Sequence, residues 1–343
     1  MKYEVVLYYF HSAHLNQIYD GFARLQKQGV CRVEYKKVRG ASNKPLLYAN
    51  INGKNVIYDT LDGLNWLDGK DLESNIQYFA SHDFAVDYYF KRSYSKLLEP
   101  YVNKRFTIIP LGLNYDIHPI SMPLSKQRIK DCLAHSKIVE CLCGKKRFLA
   151  EDFTYKPILH NENKILFLTR LWDPTGFEST PLYDEWTKLN NMRIQCVKAC
   201  REIYKDAFVG GIQLDSFSNE FCPQELIVDS AITRRNNFLK LVKDSNICIT
   251  ITGLFGSIGW KFAEYLAAAR AIITEPLSYV LPGNVQEGLN YLEFTNSDQL
   301  IDRINFLLSN PQVMKAMMVN NQQYYINSLQ SDQLVRKTLL AIK

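Results

Sequence analysis

Apolar residues fall in two alternating patterns along this chain, short continuous runs and longer stretches of helical spacing. The alternation predicts an α/β protein. In the first half, Glu4 to Phe10 reads as a strand, Asn16 to Gln28 as a helix ended by Gly29, and Val30 to Lys36 as another extended run. Tyr48 to Asn52 and Lys54 to Tyr58 flank Gly53 and predict a hairpin or two short strands around a turn. Phe84 to Phe90 and Arg105 to Ile109 follow as strands, with a helix between them from Tyr94 to Tyr101. The pattern loosens from Asp116 to Asn163, where Pro119, Pro123 and Pro157 break it. It then resumes as strand Ile165 to Thr169, helix Thr187 to Lys205, strand Ala207 to Gly210, helix Thr233 to Lys243 and strand Ile247 to Thr252.

The last of these strands runs directly into Gly253, Gly256 and Gly259 and then into a helix carrying Lys261 and Glu264. A β-branched strand, a glycine loop and a helix start together predict an anion cradle, because unpaired N–H groups at the helix start face the loop. Gly256, Ser257, Ile258 and Gly259 form its floor. Lys261 adds a positive charge one turn in, and Glu264, three positions on, shares its face. In an open parallel sheet, ligands bind where strand carboxyl ends meet helix N-termini. That rule also selects Arg170, which ends the strand Ile165 to Thr169, and Arg235, which opens a helix beside Arg234.

Phe255-Gly-Ser-Ile-Gly-Trp-Lys-Phe-Ala-Glu-Tyr-Leu-Ala-Ala-Ala-Arg-Ala-Ile-Ile273 resembles the donor-binding segment of GT-B-fold glycosyltransferases. Phe106-Thr-Ile-Ile-Pro-Leu-Gly-Leu-Asn-Tyr-Asp116, Ile165-Leu-Phe-Leu-Thr-Arg170 and Gly288-Leu-Asn-Tyr-Leu-Glu-Phe294 are similar to further segments of that family, in the same order. The resemblance covers most of the C-terminal half; the first hundred residues match only in layout. It implies two Rossmann-like domains with an interdomain cleft. Residues 1–125 would form the acceptor side, 126–163 the connection, 164–325 the nucleotide-sugar donor domain and 326–343 a C-terminal helix. It further implies that Arg170 meets the donor pyrophosphate and that Glu264 receives the ribose hydroxyls. Two positions depart from the family pattern. Thr175 stands where a lysine is usual, so Lys261 would supply that charge, and Gly256 stands where retaining members often carry glutamate, which leaves the stereochemical outcome open.

Acceptor chemistry is sought on the other side of the cleft. His11 and His14 follow the first strand, and a histidine near neutral pKa suits proton removal from a hydroxyl. Asp59 and Asp62 follow another strand and are candidate bases. The expected activity is transfer of a sugar to a hydroxyl acceptor in surface polysaccharide, glycolipid or glycoprotein glycan assembly. A nucleotide-sugar epimerase on the same domains and a non-catalytic nucleotide-sugar or glycan-binding subunit are the alternatives.

Composition narrows the picture slightly. The 343 residues exceed one ordinary core, and 47% apolar with 13% aromatic content argues against disorder. A net charge of +6 suits nucleotide phosphates, an anionic lipid surface or solubility alone, and no dense basic patch indicates nucleic acid. No apolar run reaches membrane-spanning length, and Met1-Lys-Tyr-Glu-Val-Val lacks signal-peptide character. A cytoplasmic protein, free or at the inner face of a membrane, is expected. The eight cysteines read as reduced thiols. Cys132, His135, Cys141 and Cys143 do not have the spacing of a familiar zinc module, Cys196 and Cys200 read as core, and neither metal nor cofactor is expected.

Overall fold

The computed structural model describes residues 2–38, 44–102, 105–121, 147–178 and 180–343. Among these residues, twelve strands form two six-stranded sheets. The first contains β1 (Tyr3–Tyr9), β2 (Cys31–Lys37), β3 (Leu46–Ile51), β4 (Lys54–Asp59), β5 (Tyr88–Lys91) and β6 (Thr107–Pro110). The second contains β7 (Ile165–Thr169), β8 (Phe208–Gln213), β9 (Ile227–Val228), β10 (Ile247–Thr250), β11 (Ala271–Thr274) and β12 (Leu292–Glu293). The longer helices are α1 (Asn16–Lys27), α2 (Leu72–Ser81), α3 (Pro181–Tyr204), α4 (Arg235–Asp244), α5 (Trp260–Ala267), α6 (Ser297–Ser309), α7 (Pro311–Tyr324) and α8 (Ser331–Ala341).

The second sheet is parallel throughout, in the order β12-β11-β10-β7-β8-β9. Counted within the domain this is the doubly wound order 3-2-1-4-5-6, which reverses between β7 and β10. Every residue of β7, β10 and β11 is buried, as helices on both faces require. One face packs Leu166, Cys248 and Ile272 against Phe262 and Leu266 of α5. The other packs Phe167, Ile249 and Ile273 against Cys196, Val197 and Cys200 of α3 and Leu300 and Ile304 of α6. Each such apolar side chain contributes about 1.5–3 kcal/mol when fully buried.

The first sheet is mixed, in the order β2-β1-β3-β4-β5-β6, because β3 and β4 form an antiparallel hairpin inserted between parallel neighbours. Asn52 and Gly53 both have positive φ (50° and 86°), the backbone a two-residue hairpin turn demands. Two expected elements are shorter here. The run from Phe84 becomes a strand only at Tyr88, because Ala85 takes a left-handed conformation (φ 50°), and Phe84 and Val86 point into a core cluster instead. The Tyr94 to Tyr101 helix reduces to short turns over Lys96–Leu98 and Glu99–Val102, with Pro100 in the second. The reverse holds for α2, which Asp71 caps through a hydrogen bond to the Ser74 N–H.

Among the described residues, the chain crosses between the domains twice. Leu113, Tyr115 and Ile117 join the core of the second domain, together with Ala150 and Phe153. Near the other end, α8 returns to the first domain and adds Leu334, Val335 and Leu339 to its core. There α8 crosses α1 at Gly21, where a Cβ would lie 2.3 Å from the Ser331 carbonyl oxygen. No helix among the described residues is long and apolar enough to cross a membrane. Cys132, His135, Cys141 and Cys143 lie outside the described residues; Cys196 and Cys200 are buried free thiols, pushed above the ordinary cysteine range by burial.

Candidate functional site

The switch between β7 and β10 assembles one half of the site. After β10 the backbone makes a tight turn over Leu254–Gly256, with Phe255 and Gly256 both left-handed (φ 58° and 62°). Gly253 and Gly259 do not share that conformation; the close Ser257 side chain explains the first, and nothing lies within 4 Å of a Cβ built on the second. Gly259 therefore serves by leaving open space above the start of α5, where no side chain caps the helix. Ser257 and Ile258 are buried; the Ser257 N–H donates to the Leu254 carbonyl and its own carbonyl accepts from the Gly253 N–H, which closes the turn. The loop is held from three sides. Glu185 accepts from the Phe255 N–H (2.7 Å), Glu275 accepts from the N–H and hydroxyl of Thr252 (2.9 and 2.6 Å), and Tyr279 donates to the Phe255 carbonyl.

Glu264, on the first turns of α5, is 1% exposed. Its Oε1 pairs with Arg235 Nη2 at 2.7 Å, while its Oε2 is buried without a hydrogen-bond partner. A buried carboxylate oxygen left unpaired is costly, and a ligand hydroxyl supplies what it lacks. Arg235 also donates to the Asp116 carbonyl and lies over the Phe153 ring. Arg170 stands at the end of β7, exposed, with its guanidinium 3.8 Å from the centre of the Trp172 ring. Thr175 is exposed and donates its N–H to Asp173.

Lys261 sits differently from its expected role as a ligand-facing charge. Its Nζ donates to the Leu168 carbonyl, which holds α5 to the end of β7. Burial lowers its pKa to about 8; Glu264 opposes that shift, and Arg193, Arg170 and Arg235 add to it. Arg193 is one of two residues that sequence reasoning missed. It is 5% exposed and donates to the Arg170 carbonyl (2.5 Å) and the Thr252 carbonyl (3.2 Å), tying together the two strand ends that form the switch. Burial lowers its pKa to about 9. Its signal lay in α3, where an arginine interrupts the apolar stripe that Cys196, Val197 and Cys200 continue.

The first domain supplies the facing wall. His14, in the turn after β1, packs its ring 4.9 Å from that of Trp260, the first residue of α5. Burial lowers its pKa, Asp62 and Asp116 oppose the shift, and Arg92 adds to it; the ring also bonds the Thr60 carbonyl. Nδ1 is buried and unpartnered. His11 is exposed, so of the two histidines only His14 reaches α5. Asp62 is partly exposed and paired with Arg92 at 2.6 Å. Arg92, 3% exposed and not anticipated, also donates to the Ile258 carbonyl, which links the end of β5 to the glycine loop. The two walls touch at Gly63 (φ 63°), where a Cβ would lie 2.5 Å from that of Phe255.

The expectation that Asp59 projects into the cleft is corrected. It is fully buried, and its oxygens accept from Lys91 Nζ (3.0 Å), Leu61 N (2.9 Å), Tyr89 OH (2.6 Å) and Trp66 Nε1 (3.0 Å). A carboxylate so occupied has no lone pair for an acceptor. It anchors instead: Lys91 also donates to the Gly63 carbonyl, so this buried pair supports the loop that carries Asp62. Among the described residues, no group of histidine, cysteine and acidic side chains is arranged to hold a metal ion.

No family model matches this sequence, and no curated protein matches it. Solved structures do align with it. The C-terminal domain of a glycosyl transferase group 1 family protein (LpcC) from Francisella tularensis is 14% identical with a TM-score of 0.39, over 53% of this chain and 97% of that one. Anabaena HepE in complex with UDP is 12% identical with a TM-score of 0.36, over 97% of each chain. TarM from S. aureus is 10% identical with a TM-score of 0.43, over 80% of this chain and 48% of that one.

Proposed function

We propose that this chain transfers a sugar from a nucleoside-diphosphate sugar to a hydroxyl acceptor bound across the cleft. The observation that carries the reading is Glu264, a buried carboxylate at the switch point of a doubly wound sheet with one oxygen on Arg235 and the other unpaired. A vicinal diol such as a ribose offers two hydroxyl donors to such a group. Beside it, the uncapped start of α5 faces the open space above Gly259, Arg170 is exposed at the end of β7, and Lys261, Arg193 and Arg235 carry further, largely buried positive charge. These four cations are only partly offset by single carboxylates near them, Glu264 beside Lys261 and Arg235 and Glu275 beside Arg193, and the arrangement gains from the negative charge that a bound diphosphate adds where Arg170 is exposed. The gain is larger in the transition state, when charge builds on the departing phosphate. His14 then takes the proton of the attacking hydroxyl at its unpartnered Nδ1, whose basicity burial lowers, with Asp62 raising it and Arg92 lowering it further.

A thermal-shift panel of nucleoside diphosphates and nucleotide sugars, beginning with UDP and UDP-glucose, tests donor binding, because a ligand selective for the native state raises its stability. Acceptor-dependent release of the nucleotide then separates transfer from epimerisation or binding alone. A panel without any shift would remove the reading.

The same charge cluster sets an expected pH dependence. Unfolded, Lys261 titrates near 10.5; folded, near 8. Between these values the unfolded chain binds more protons, so stability contributed at this site rises with pH, and below pH 8 the buried ammonium costs on the order of 3 kcal/mol. Denaturant melts at several pH values should show this slope in the parent and its loss in Lys261→Met. Saturating nucleoside diphosphate should flatten the slope in the parent, because a bound anion restores the lysine's affinity for its proton.

A further inference from the structure

Away from this cleft, the β11–β12 loop and α7 enclose a pocket of about 290 Å³ whose wall is made of carboxamides: Asn284, Asn290, Asn320, Gln323 and Asn327. It shares no lining residue with the donor side. Ser328, Tyr324 and Leu289 complete it, so the lining holds no carboxylate, ammonium, guanidinium or imidazole. A charged ligand finds no countercharge among these groups, and an apolar one would cover the amides of Gln323 and Asn327 without offering them a partner. A carboxamide presents a donor and an acceptor side by side, which matches the donor-and-acceptor character of adjacent sugar hydroxyls. From these features we infer that the pocket binds an uncharged saccharide.

Two further observations support a built site. After α7 the chain continues as a π-helical turn over Tyr325–Leu329, which brings Asn327 and Ser328 to the pocket; such turns mark functional positions more often than ordinary helix does. The loop closes against it through Gly283 (φ 87°), where a Cβ would lie 3.2 Å from both Ser328 Oγ and the Tyr324 ring. One part of the wall is fixed by its neighbours. Asn290 bonds Asn321 and the Gln286 N–H, Asn320 donates to the Leu289 carbonyl, and Ser328 Oγ accepts from Lys337. Gln323 and Asn327 are exposed, and their side chains have no hydrogen-bond partner among the described residues. A rigid wall with two free amides suits a ligand read by its hydroxyls.

The loop that ends at this pocket begins at Glu275 and passes Tyr279, both of which hold the donor-side loop. On the glycan-transfer reading, this connection assigns a sugar seated here to a remote unit of the acceptor glycan. That role rests on the glycosyltransferase reading; saccharide binding itself does not. The test is ligand-observed NMR and calorimetry with methyl glycosides of glucose, galactose and N-acetylglucosamine and with their linear tri- and tetrasaccharides, beside UDP as an independent probe. The expected result is saccharide binding in the parent and a loss of about tenfold or more in Gln323→Ala/Asn327→Ala, whose exposed positions spare the fold, with UDP affinity unchanged. Absence of binding by every neutral saccharide at millimolar concentration, or equal binding by the double variant, would overturn the inference. Saccharide binding without UDP binding would sustain the pocket and reject only the glycan-transfer role.

Discussion

Replacing His14 by alanine lowers transfer by about a hundredfold or more while nucleotide affinity stays at the parent value, the pattern expected when a general base is removed and the donor contacts remain. The neutral imidazole is the working form, and burial holds its pKa below 6.5, so the His14 step leaves kcat/KM flat near neutrality and gives it an acid limb. The neighbours give the residue a signature that a packing role would not have. Asp62 raises the His14 pKa and Arg92 lowers it. Asp62→Asn should therefore move the acid limb to lower pH, and Arg92→Met should move it to higher pH. Identical limbs in all three proteins would assign proton transfer to another group.

Glu264→Gln should weaken donor binding by roughly tenfold to a hundredfold, since one or two charged hydrogen bonds to the ribose are each worth about 1.5–3 kcal/mol. The substitution keeps the shape of the side chain but weakens the 2.7 Å pair with Arg235. A 2′,3′-dideoxynucleotide separates these effects. It should bind the parent as weakly as the intact nucleotide binds the variant, and the substitution should cost it little. Equal losses for both nucleotides would mean that Glu264 acts through Arg235 alone and touches no hydroxyl.

The glycine-loop side of the site was readable in the chain because its parts are neighbours in sequence. A buried strand, the Gly256 turn and the face shared by Lys261 and Glu264 are local patterns, and β10, the loop and α5 reproduce them to within a few residues. Arg193 and Arg92 were not readable in this way. Each reaches its carbonyl partners only through tertiary crossings, from α3 to two strand ends and from β5 to the opposite domain. Asp59 and Asp62 look equivalent in sequence, three residues apart after one strand. Only the fold shows that Lys91, Tyr89 and Trp66 converge on the first and leave the second in the cleft. Lys261 reads in sequence as a ligand-facing charge, and its commitment to the Leu168 carbonyl depends on how closely α5 approaches β7.

The return of α8 to the first domain also bears on the order in which the protein is made. The first domain's core includes Leu334, Val335 and Leu339, residues translated after the entire second domain. Until they emerge, the Gly21 face of α1 and the hydroxyl of Tyr58, which meets Thr338 at 2.8 Å, lack their native cover. The first half to leave the ribosome is therefore the last to complete its core, and for most of synthesis it exposes an apolar strip that a chaperone would recognise.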